Sequence, residues 1–323
     1  MFFIILIDSI KITMNTLENL QYVSLDFMMF NDKNTRVDVR IGWYNFIRNK
    51  NNPEELNNYF NHDEKIYILY DCIRDKKFNE FLRIFSIFDG INLSKDEEDL
   101  LLNWACANDM FDAVKFLVEY GINVTNNLSI KIAACYNNKA DIIKYLVESG
   151  ADPHLDNEYA LCMAINRGNV DIFNYLLKCG CNVNARNNYC IKRCVTKKLP
   201  IYFLNTLIEY GADIHCDNDF LLKEAIYNND IGSTIILLQC GVNVSCLATM
   251  HLLHIIENGD YELVKLLIDH GVNFSKINNK IIKESTNKQK INLLVAQGVD
   301  FSIVFKLLGQ NSLNNFEFSD SEI

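Results

Sequence analysis

Apolar residues along most of this chain fall at spacings of three and four, and the whole pattern returns about every thirty positions. Its clearest mark is a pair of adjacent apolar residues: Leu117-Val118, Leu146-Val147, Leu176-Leu177, Leu207-Ile208, Leu237-Leu238, Leu267-Ile268 and Leu294-Val295. Three residues before each pair stands another apolar residue, Val114, Ile143, Phe173, Leu204, Val264 and Ile291, with Thr234 the exception. These spacings predict one apolar stripe on a helix. After each pair comes a Gly and, two residues on, Asn or Asp. With an earlier copy at Gly90 the signature occurs eight times, at Gly90, Gly121, Gly150, Gly180, Gly211, Gly241, Gly271 and Gly298. Gly accepts the left-handed conformation that ends a helix, and Asn or Asp then bonds its own backbone to hold the turn. The glycines stand 31, 29, 30, 31, 30, 30 and 27 positions apart, a steadiness that predicts a solenoid.

A second turn is predicted twelve residues before the glycine, at Asp109, Asn138, Gly168, Asn229 and Gly259, residue types that tolerate a positive φ. Four residues earlier, Ala105, Ala134, Ala164 and Ala225 are small enough for neighbouring helices to stack closely. The unit is therefore a helical hairpin. Its first copy, with Ile66, Leu69, Tyr70 and Ile73 on one helix and Phe78, Phe81, Leu82 and Phe85 on the next, is degenerate, as expected of a cap. In the copy ending at Gly211, Val195 replaces the small residue, Leu199-Pro200 replaces the turn, and Pro200 is expected to open the second helix. The copy ending at Gly298 is trimmed. Residues 22–27 and 36–41 alternate as short strands would, and Pro53 reads as a helix start.

The stretch from Asn157 to Asn184 resembles an ankyrin repeat. It carries Leu161-Cys162-Met163-Ala164, the inter-helix Gly168, the pair Leu176-Leu177 and the ending Gly180-Cys181-Asn182-Val183-Asn184. It departs from the family at Tyr159-Ala160-Leu161-Cys162, where the family has Thr-Pro-Leu-His, and its period is about three residues short of the usual ~33. The resemblance thus implies β-hairpin fingers shortened to simple loops. Together with the abundance of Asn, Ile, Lys and Tyr, it is similar to the short-period ankyrin proteins of giant DNA viruses of amoebae. The fold expected is an all-α ankyrin solenoid of stacked helical hairpins: a capping or irregular region over residues 1–62, about eight repeats over 63–310 with the first and last degenerate, and an acidic tail over 311–323.

Composition narrows the functional classes. A formal net charge of −10 argues against broad binding to nucleic acid or anionic membranes. The apolar run at residues 1–7 is far short of the ~20 residues that span a bilayer and reads as a buried strand or helix. Eleven cysteines form no disulfide framework, and Cys106, Cys135, Cys162, Cys179 and Cys240 sit in helical patterns as small apolar residues, which suits a reducing compartment. Cys179, Cys181, Cys190 and Cys194 can be drawn as four zinc ligands. Repeat drift explains them without metal, because Cys179 and Cys181 straddle a helix-ending glycine. His154 and His215 share a position held elsewhere by other polar turn residues, and His251 and His254 read as inner-helix packing. No phosphate loop, His-Glu-x-x-His or Gly-x-Ser-x-Gly appears. The reading is a non-enzyme without cofactor or metal.

What the repeat offers is a surface. The position before the inter-helix turn is polar, Asn108, Asn137, Arg167, Lys198, Asn228 and Asn258, and stacking lines these up beside Asp156, Asn157, Arg186, Asn188, Asp217 and Asn218. The family resemblance implies that partners bind on this concave side. The expected function is a monomeric protein-binding scaffold, without nucleic acid or membrane partners, in the host cytoplasm. The alternative is a viral adaptor bringing a host protein to a ubiquitin ligase, which needs an F-box-like or BTB-like module not evident here.

Overall fold

A computed structural model describes residues 62–88, 93–125, 128–136 and 140–274, together with residue 296. The strands expected over 22–27 and 36–41, the apolar start, Pro53, the repeat ending at Gly298 and the tail lie outside the described residues. So do Gly90, Asn137 and Asn138. The chain divides into two compact units, residues 1–94 and 95–323. Among the described residues there are fourteen α-helices, one short 3-10 turn and no strand, as the all-α expectation requires.

The first unit contributes α1 (His62–Arg74) and α2 (Phe78–Ile87), a hairpin packed against itself. Ile66, Leu69, Tyr70 and Ile73 are buried as their spacing predicts, while α2 buries Phe81 and Ile84 and leaves Phe78, Leu82 and Phe85 at its margin.

In the second unit the helices alternate. The inner series is α3 (Lys95–Ala107), α5 (Ser129–Tyr136), α7 (Leu155–Arg167), α9 (Ala185–Thr196), α11 (Cys216–Tyr227) and α13 (Thr249–Asn258). The outer series is α4 (Phe111–Tyr120), α6 (Asp141–Glu148), α8 (Val170–Lys178), α10 (Ile201–Glu209), α12 (Ile231–Gln239) and α14 (Tyr261–Asp269). Each inner helix packs on the next inner helix and on its own outer partner. Ala105, Ala134, Ala164 and Ala225 lie fully buried, consistent with their role as small residues between inner helices. In the repeat ending at Gly211 the small residue is kept rather than replaced by Val195: the Leu199 N–H donates to the Cys194 carbonyl as the Asp230 N–H does to that of Ala225, so buried Cys194 takes the alanine's place and Val195 matches Ile226. The first member of every apolar pair from Leu117 to Leu267 is fully buried, and the second is at the margin in four of six repeats. Thr234 is buried in the stripe because its hydroxyl donates to the Asp230 carbonyl at 2.7 Å, which satisfies the group that would otherwise oppose burial.

Both helices of a hairpin end alike. The outer helix closes with the glycine N–H donating to the second pair member and the following N–H donating to the first, as in Gly150 to Val147 at 3.0 Å and Ala151 to Leu146 at 2.9 Å. This is the Schellman closure, and its next residue is an apolar plug: Ile122, Ala151, Cys181, Ala212, Val242 and Val272 are all buried. The Asn or Asp after the plug accepts the N–H two residues on, at Asn123, Asp152, Asn182, Asp213 and Asn243.

The inner helix closes by the same two bonds around a left-handed residue, which is Asp109, Gly168 or Asn229 as expected. Two positions differ. Lys198 itself is left-handed, with φ 49°, so the turn is kept rather than replaced, and Leu199-Pro200 leads into α10 where the other turns have a single residue, an insertion of one. Gly259 is extended, with φ −70° and ψ 141°. The next amide, Asp260 N–H, donates to Asn229 Oδ1 at 3.0 Å instead of closing the helix, and a Cβ at Gly259 would stand 2.6 Å from the Ile255 carbonyl oxygen. Glycine is needed there for close approach.

Candidate partner-binding surface

The inner helices and the loops before them carry the candidate row. Asn108 and Asn228 are half-buried, whereas Arg167, Lys198 and Asn258 are exposed. The three asparagines turn back on their own helices. Asn108 donates to the Trp104 carbonyl at 2.8 Å, Asn228 to Glu224 Oε1 at 3.1 Å, and Asn258 lies 3.2 Å from His254 Nδ1. The Asn108 amide thus caps a free helix carbonyl, whereas those of Asn228 and Asn258 meet side chains one turn back. Lys198 stands one step further along the turn than the others, and Lys197 takes the position that matches Asn228. Among the described residues the side chains of Arg167 and Lys198 make no ion pair or hydrogen bond.

The loops are more ordered than simple connections. At three successive loops three residues in a row are left-handed: Asp156-Asn157-Glu158, Arg186-Asn187-Asn188 and Asp217-Asn218-Asp219. Basic side chains hold them. Lys131 of α5 pairs with Asp156, Arg186 donates to the Asn157 carbonyl at 2.9 Å, Lys192 of α9 pairs with Asp217 at 2.5 Å, and Lys223 reaches the Asn218 carbonyl. The buried Tyr159 ring has Lys131 Nζ and the Arg186 guanidinium each 5.5 Å from its centroid, so two cations face one ring. Asn184 donates to the Gly211 carbonyl at 3.0 Å and accepts the Asp213 N–H at 2.8 Å, which ties one loop to the next. Tyr189 donates to Asn166 Oδ1 at 2.9 Å, linking α9 to α7.

Histidines serve the same loops. His154 Nδ1 lies 3.0 Å from Glu158 Oε1, and His215 Nδ1 lies 2.7 Å from Asp219 Oδ1, one pair at the first and one at the third left-handed loop. His254 stacks on Tyr227 with centroids 4.3 Å apart and meets the Tyr227 carbonyl at 3.1 Å. His251 Nδ1 accepts the Ala248 N–H at the start of α13. All eleven cysteines are free; Cys106 and Cys162 are buried, whereas Cys240 is exposed. Burial pushes the Cys135 thiol up to about 11 and the Cys194 thiol up to about 12, away from a reactive thiolate. The four-cysteine set does not come together as a metal group; Cys181 instead lies with His154 and Glu158.

The left-handed loops and their pairs were not read from the sequence. A signal was present, an Asn- or Asp-rich triplet six to eight residues after the glycine, together with His and an acidic residue four apart.

Among the described residues no helix is long and apolar enough to cross a membrane. A family model for ankyrin repeats matches residues 102–187 and 130–218. The chain is also similar to two ankyrin repeat proteins of Acanthamoeba polyphaga mimivirus. One is 26% identical over 253 residues, covering 73% of this chain and 81% of the relative. The other is 23% identical over 253 residues, covering 71% and 69%. The stacked helical hairpins described above thus include ankyrin repeats over residues 102–218, in a chain similar over most of its length to ankyrin repeat proteins of mimivirus.

Proposed function

We propose that this chain is a scaffold that binds another protein along its inner helices and the loops before them, with no chemistry of its own. The observation that carries this is the cross-repeat bonding of the loops through Asn184, Arg186, Lys131 and Lys192. A surface ordered in advance loses little freedom on binding, so more of its contact energy appears as affinity. On this surface Arg167 and Lys198 are the exposed cations of the row, and Asn157, Asn187 and Asn218 are exposed amides at the loop tips. The preferred partner is a protein with acidic or amide-rich surface in the host cell, the setting the viral relatives suggest. Capture from amoeba lysate with the full chain tests this against the variant carrying Arg167→Glu and Lys198→Glu. A protein retained by the first and lost by the second supports the reading. A specific partner retained equally by both refutes the row, and ligase subunits in the captured complex would favour the adaptor role.

A further inference from the structure

One cluster near this surface has ligand chemistry that partner binding does not use. His154 Nδ1, a carboxylate oxygen of Glu158 and Cys181 Sγ all lie within 4.8 Å of one another. His154 stands two residues before the left-handed triplet of one repeat and Glu158 is its last member, while Cys181 is the plug that closes the outer helix of that repeat. Glu158 is 6% exposed and Cys181 5%, so two of the three donors are withdrawn from solvent while His154 is open to it. The Glu158 carboxylate is oriented by the Asn182 N–H at 3.1 Å, and Cys181 Sγ lies 3.8 Å from the Pro153 carbonyl oxygen.

We propose that His154, Glu158 and Cys181 bind one divalent cation of the zinc class. Such ions take imidazole nitrogen, carboxylate oxygen and thiolate sulfur at about 2.0 to 2.3 Å, which requires donors about 3.5 Å apart, a separation that small side-chain rotations reach from this triangle. Three protein donors leave a fourth position, on the exposed His154 side, for water or for a partner's side chain. Without a cation, burial and the neighbouring Glu158 keep the Cys181 thiol protonated; the cation's charge reverses that balance, and the thiol proton passes to solvent on binding. Because the ligands come from both ends of one repeat, the ion would clamp its loop to its closing turn.

Other repeats supply internal controls. His215 and Asp219 reproduce the His–carboxylate pair, but Val242 stands where Cys181 does, and the repeat between them has Asn184, Asn188 and Ala212. The pair alone is therefore a turn device, and sulfur is what sets this site apart. The test uses full-length protein stripped with chelator and titrated with Co²⁺ and with Zn²⁺, reading the thiolate-to-cobalt charge-transfer band and bound metal by mass spectrometry. One ion per chain and a band are expected. Cys181→Val, which installs the residue found at Val242, should abolish the band and weaken Zn²⁺ binding about tenfold or more, as losses at metal sites do even for outlying partners. Glu158→Gln and His154→Asn should each weaken it too, and His215→Asn should change nothing. Absence of the band in the unmodified protein overturns the proposal, as does equal binding by Cys181→Val, which would place the metal on other thiols. Should Cys181→Val fail to fold, Glu158→Gln decides, since it keeps an acceptor for the Asn182 N–H: undiminished binding there overturns the site.

Discussion

The loops at residues 154–158, 184–188 and 215–219 and the loop at 243–248 join the same kinds of helix by different backbones. The first three run through three consecutive left-handed residues. The last forms a 3-10 turn, Val244–Cys246, and passes through extended Leu247 and Ala248 into α13. A left-handed residue with a Cβ costs about 1–2 kcal/mol, least for Asn and Asp. Six to eight residues after the glycine the first three loops have Asp156-Asn157-Glu158, Arg186-Asn187-Asn188 and Asp217-Asn218-Asp219, whereas the last has Leu247-Ala248-Thr249. The exceptions are held by partners: Glu158 by the Asn182 N–H and His154, Arg186 by the loop carbonyls it reaches. The repeat thus fixes where a loop falls, and three local residues fix its form.

The helices should be alike even though the loops are not. Leu176→Ala and Leu267→Ala, both at fully buried positions, should each cost about 2–5 kcal/mol in urea unfolding. A loss at one and none at the other would show that the repeats do not share a core. Next, Asn157→Ile puts a branched side chain at φ 52° and should cost about 1–2 kcal/mol, while Ala248→Ile, at φ −80°, should stay within about 0.5 kcal/mol. Equal losses would mean the left-handed turn is not what separates the two loops.

Asn184→Ala removes two bonds to the following repeat and should cost about 1 kcal/mol. Its counterpart Ser245→Ala should cost no more than about 0.5 kcal/mol. The smallest effect is in pH. Burial first, then nearby Lys223, holds His251 below the ordinary imidazole value, consistent with a neutral ring that accepts the Ala248 N–H. With its folded value depressed, the stability it contributes is present above the unfolded value near ~6.5 and lost as pH falls through the folded one. Urea midpoints compared at neutral and mildly acidic pH should therefore fall more for the unaltered chain than for His251→Gln.

The repeat period, the helix ends and the buried stripe were legible because each is a local rule repeated many times. Two turns were not. Lys198 takes a conformation usually left to Gly or Asn because the closing bonds from Lys198 to Val195 and Leu199 to Cys194 hold it there. Gly259 loses that conformation because Asn229, one repeat earlier, captures the Asp260 amide, and a partner thirty-one residues away leaves no mark in a local window. The candidate row was legible as a row of polar residues. That Asn108 and Asn228 spend their amides on Trp104 and Glu224 follows from rotamers that residue type alone does not specify.

The proposed role of this chain is to bind a protein through the exposed cations and ordered loops of its inner face. Calorimetric titration of the captured partner into the chain and into the Arg167→Glu, Lys198→Glu variant tests it most directly. Arg is enriched at interface hot spots, where truncation costs more than about 1 kcal/mol, so Kd should rise about tenfold or more with unchanged folding. An unchanged Kd would contradict it.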